Sequence, residues 1–140
     1  VSVSVSRLGV CVSDLDAFTR FYSDGLGFEQ VAAHEIGEQF SGLMELDGVR
    51  LPSRLIAKDG VTLELLGYDA PGTTGDGTRR PMNRLGSTHI CLRVDDVEAT
   101  ADAIEGPGAR SCVRPGPPSR WERPCWNFCI APIPTGCASS

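Results

Sequence analysis

Two stretches decide how this chain is read: Gly9-Val10-Cys11-Val12-Ser13-Asp14-Leu15-Asp16 and Thr88-His89-Ile90-Cys91-Leu92-Arg93-Val94-Asp95-Asp96. Each opens with alternating apolar residues, the mark of a half-buried strand, and runs directly into acidic residues that start a helix. In the first, a strand is expected over 7–12 and Ser13 offers an N-cap. Asp14 and Asp16 stand in the first turn, where negative charge suits the helix dipole. Leu15, Phe18, Phe21, Tyr22 and Leu26 recur at helical spacing, and Gly25 and Gly27 end the helix. In the second, a strand over 87–94 leads to Asp95 as the cap and a helix over 97–104. A shift of 82 lays Val10 on Leu92 and Val12 on Val94, and Asp14-Leu15-Asp16-Ala17 on Asp96-Val97-Glu98-Ala99. The chain therefore carries an internal duplication of a strand–helix–strands unit.

Working outward, Phe28 to Ile36 reads as a strand, and Gln39 to Leu46 as a short helix or loop followed by an Asp47-Gly48 turn. Val49 to Lys58 and Val61 to Tyr68 form two strands joined by a tight Asp59-Gly60 turn. Residues 70–86 hold glycine, proline and charge without periodicity, the composition of a linker or active-site loop. Under the shift of 82, Arg7 falls on His89, and the counterpart of Glu64 would fall at position 146, past Ser140. The second unit is accordingly expected to be incomplete or differently built.

These residues resemble the vicinal oxygen chelate superfamily, which holds glyoxalase I, methylmalonyl-CoA epimerase, extradiol dioxygenases and bleomycin-resistance proteins. The resemblance is carried by Gly9 to Asp16, Phe21-Tyr22, Leu26-Gly27-Phe28, Val61 to Leu66 and Thr88 to Asp96, and covers residues 6 to 110. It implies an α+β fold of two βαβββ modules whose curved sheets form a cleft. The first module would span 1–69, a linker loop 70–86, the start of the second module 87–110, and an atypical Pro/Cys-rich tail 111–140.

The resemblance also implies a divalent metal (Zn, Ni, Co, Mn or Fe) held by the first and last strands of each half. His89 and Glu64 match two of those ligand positions, and Glu64 would also serve as the general base. Arg7 stands where the family commonly has a histidine, and a guanidinium cannot ligate a metal. Arg7 is then a substrate-binding residue. If it pairs with Glu64, both charges are satisfied with no cofactor at all.

The activity implied first is metal-assisted proton transfer, of lyase, isomerase or epimerase type, on a small oxygen-bearing metabolite. The alternative is a metal-free small-molecule binding or sequestration protein of the bleomycin-resistance type. An extradiol dioxygenase ranks third, since it needs two histidines and a carboxylate around Fe(II) and only His89 is suitably placed. His34 matches no ligand position and reads as a surface strand residue. Arg79, Arg80 and Arg84 belong to a solvated loop, with an anion-binding role the lesser reading.

Composition narrows the partners. The net charge of −5 argues against nucleic acid, and no apolar run long enough to span a membrane occurs. With 41% apolar residues the chain can bury a core; the expectation is a soluble, cytoplasmic homodimer acting on a small molecule. Cys11 and Cys91 read as buried strand thiols, and the spacing of Cys112, Cys125, Cys129 and Cys137 does not suit a zinc site.

The tail is of another kind. Residues 107–140 hold 7 of the 10 prolines, 4 of the 6 cysteines and a net charge of +3, against −8 for residues 1–106. Reading the codons from the third base onward at Trp121 forces glycine at Trp121-Glu122 and glutamate at Trp126-Asn127. That frame permits the two strands, the aspartate-proline-aspartate-glycine turn and the final glutamate ligand that the family carries, so the tail reads as an out-of-frame translation. A proline-rich divergent extension is the alternative.

Overall fold

The structure is a computed structural model that describes residues 2–75, 83–86, 90 and 92–104. The chain divides into two compact units, Val1–Gly75 and Asp76–Ser140. The first begins with strand β1 (Leu8–Cys11) and helix α1 (Leu15–Arg20), which continues as a π-helical turn over Phe21–Gly25. Strand β2 (Glu29–Ile36) follows. A 3-10 turn (Glu38–Phe40) leads into the short helix α2 (Ser41–Met44), and strands β3 (Leu51–Lys58) and β4 (Val61–Leu66) complete the unit. This is the βαβββ order expected from the sequence, in a mixed α+β unit. The ambiguous segment after Ile36 resolves into the 3-10 turn and α2.

The sheet runs β1-β4-β3-β2, with β1 parallel to β4 and the other pairs antiparallel. Asp59 and Gly60 both take positive φ, 50° and 79°. Two left-handed residues make the hairpin turn whose twist matches that of the flanking strands. Gly67 allows a close approach: a Cβ there would stand 3.0 Å from the Cβ of Leu15, so α1 begins directly over the end of β4. The core under α1 is built from Val12, Tyr22, Phe28, Ile56, Leu63 and Leu65, all buried. Phe21, Tyr22 and Phe28 stack edge to face, with centroids 5.3 Å apart in each pair, the arrangement that ring quadrupoles favour.

Both helix caps fall one residue later than the sequence suggested. Asp14, not Ser13, caps α1, accepting a hydrogen bond from Ala17 N at 2.8 Å. In the second unit Asp96, not Asp95, caps helix α3 (Val97–Ile104), accepting from Ala99 N at 2.9 Å. A carboxylate makes a charge-assisted bond to these amides and also meets the positive helix end, an advantage that the Ser13 hydroxyl lacks. The two caps are related by the same shift of 82 that relates the two sequences. Among the described residues α3 is the one named element of the second unit. Cys91, the linker arginines Arg79 and Arg80, half of the strand expected over 87–94 and the whole tail 111–140 lie outside the described residues.

Cys11 corrects the reading of a buried thiol: it is exposed. Among the described residues β1 is an edge strand, and alternation gives the buried position to Val12, which is 2% exposed.

Two outcomes are expected. Asp14→Ala should lower stability by about 1 kcal/mol in urea unfolding, the usual cost of a lost cap. Burial pushes the Tyr22 hydroxyl up to about 12 from 10.0. The unfolded chain therefore releases this proton first, and stability should be unaffected below pH 10 and fall by about 2–3 kcal/mol as the pH rises through that window. Tyr22→Phe should remove that part of the alkaline loss, measured as the difference between the two unfolding curves across pH 9–12.

Candidate functional site

Strand alternation decides where Glu64 points. Leu63 and Leu65 are 1% and 0% exposed in the core, so Thr62, Glu64 and Leu66 belong to the opposite face of β4. The register extends that face across the sheet. Gly9 is paired with Glu64, Cys11 with Leu66, Leu55 with Glu64, Ser53 with Leu66, and His34 with Ser53. Arg7, two residues before Gly9, falls on the same side.

There Arg7 Nε donates to Glu64 Oε2 at 2.6 Å, with the arginine side chain 49% exposed and the glutamate 12%. A carboxylate this far out of water is costly unless it is paired, and the guanidinium supplies the pairing. Of the three site residues expected from sequence, the structure thus brings Arg7 and Glu64 together; His89 lies outside the described residues.

The same face holds three residues that sequence reading did not assign to it. Cys11 carries a free thiol, and partial burial pushes its pKa up, so it stays protonated at neutral pH. Ser53 is 0% exposed, and its hydroxyl has no hydrogen-bond partner among the described residues; such an orphan typically costs about 1–3 kcal/mol. His34 is exposed on the edge strand β2. Only the register could have grouped them, because they come from three strands with no common motif. Arg84 is exposed in the second unit.

The donor set was set against the metal centre that the fold suggests. Among the described residues no three His, Cys, Asp or Glu side chains converge. Glu64, the carboxylate on this face of β4, has one oxygen bound by a guanidinium that is itself unable to ligate. Among the described residues, then, Glu64 is the one expected ligand that is placed, and it is engaged by Arg7; His89 lies outside them.

Comparison with known proteins agrees with the architecture. A crystal structure of a glyoxalase family protein from Bacillus cereus superposes with a TM-score of 0.64 at 18% identity, covering 72% of this chain and 69% of that one. The crystal structure of SMU.1112c gives 0.51 at 22% identity, covering 73% and 72%. At such identities the likeness speaks for the fold alone. No curated protein matches the chain. The sequence profile of the Glyoxalase/Bleomycin resistance protein/Dioxygenase superfamily matches residues 4–121, a longer span than the 6–110 that carry the resemblance in the sequence. That profile match takes in both halves of the duplication, and on it the chain belongs to the Glyoxalase/Bleomycin resistance protein/Dioxygenase superfamily.

Proposed function

We propose that this chain is a metal-free member of its superfamily that binds and sequesters a small molecule against the Glu64 face of its first module. The observation that carries the reading is the ion pair between Arg7 and Glu64 at 2.6 Å. Metal-assisted proton transfer needs the Glu64 carboxylate free to hold a cation and to accept a proton from the substrate. Arg7 withholds it on both counts. A guanidinium is a fixed positive charge at all accessible pH values, so it takes the electrostatic place of the cation without offering a coordination site.

In this reading each residue has a defined task. Glu64 orients Arg7, Arg7 presents hydrogen-bond donors to the ligand, and Gly9 and Leu66 form the floor beside them. Binding then needs no proton to move.

Metal content tests the reading. Purified protein incubated with Zn(II), Ni(II), Co(II) or Mn(II) and desalted should hold well below one equivalent by elemental analysis, and its Tm should not rise with added metal. Near-stoichiometric uptake would overturn the proposal in favour of the metal-assisted enzyme. Arg7→His removes the competing cation and adds an imidazole beside Glu64. That variant should acquire a metal-dependent rise in Tm, as mass action requires of any ligand that binds only the folded state.

A further inference from the structure

We infer that the ligand of this face is a small monoanionic carboxylate seated on the outer nitrogens of Arg7, an inference that rests on the metal-free binding reading above. A guanidinium carries five N–H donors in one rigid plane. The Nε donor is committed to Glu64, and among the described residues the two terminal nitrogens enter no further ion pair or hydrogen bond. The exposures are unequal, 49% for Arg7 and 12% for Glu64. Glu64 is therefore the anchored partner. It holds the guanidinium through Nε, while the arginine side chain itself stays 49% exposed. A fork held in this way meets the two oxygens of a carboxylate with little further loss of side-chain freedom.

Charge selects the class of anion. Arg7 and Glu64 cancel each other, so an arriving ligand meets one guanidinium with a carboxylate at 2.6 Å behind it. A monoanion gains more from the near cation than it loses to the farther anion. A dianionic phosphate doubles the attraction to Arg7 along with the repulsion from Glu64, and it is the much larger cost of desolvating the second charge that sets it behind a monoanion.

The body of the ligand is set by what surrounds the pair. Gly9, opposite Glu64 in the register, adds no side chain to the face, and a Cβ there would stand 3.5 Å from Leu66 Cδ1. Leu55 and Leu66 flank it, both partly exposed. The carboxylate's neighbour is thus a small apolar floor, suited to a compact apolar or aromatic body.

The test uses the full chain and three probes, benzoate, benzamide and phenyl phosphate, with the Arg7 Nε–H resonance followed by 1H–15N NMR. Benzoate should shift that resonance and bind at least tenfold more tightly than either of the others. Glu64→Gln, which keeps the shape of the face, should tighten benzoate binding severalfold because the opposing charge is gone. Gly9→Val should weaken it by filling the floor, and Arg7→Met should abolish the preference for benzoate over benzamide.

Equal binding of benzoate and benzamide overturns the carboxylate inference while leaving metal-free binding in place. So does the absence of any benzoate-induced shift at Arg7, or a Glu64→Gln variant that binds benzoate more weakly. Stoichiometric metal uptake overturns both readings together.

Discussion

The hydrogen bonding of β4 on both of its edges is the constraint from which the first module follows. Val61–Leu66 is held parallel to β1 on one side and antiparallel to β3 on the other. A slip of one residue would turn Leu63 and Leu65 out to the opposite face and drive Glu64 into the layer under α1. Burying those two leucines contributes several kcal/mol, and an unpaired carboxylate in their place would cost as much again. One register therefore secures the hydrophobic layer under α1 and also delivers a single acidic group to the other side of the sheet.

What becomes of that acidic group depends on one residue before β1. A histidine there would add a neutral nitrogen donor beside the carboxylate. Arg7 adds a permanent positive charge instead, and the two side chains close on each other. Arg7 is half exposed and solvent screens the pair from its side, so its contribution to stability is modest, on the order of 1 kcal/mol. Its importance is chemical. It engages the Glu64 carboxylate with a guanidinium, which cannot ligate a metal, and on that pair rests the proposal of a binding surface.

The duplication shows how local rules survive where other features have diverged. Asp14 and Asp96 perform the same task, each accepting from the amide three residues on. In each case the next turn begins with a backbone bond of matching spacing, Phe18 N to Asp14 O at 3.0 Å and Thr100 N to Asp96 O at 3.1 Å. Helix starts are decided within four or five residues, so the duplication is visible as a pattern of letters, while the choice between neighbouring caps falls to the backbone geometry.

From sequence alone came the order of the elements, the hairpin at Asp59-Gly60, the duplicated helix starts and the replacement of a ligand-type residue by Arg7. Each depends on spacing along the chain or on the chemistry of one side chain. The tertiary structure alone decided which of two possible partners Arg7 and Glu64 would take, that Cys11 lies open and not buried, and that Ser53 and His34 share the face of Glu64. Those outcomes depend on which strand lies beside which and in what register. Alternation tells a strand's two faces apart but cannot say which residue of another strand, some 57 positions away for Arg7 and Glu64, will stand opposite.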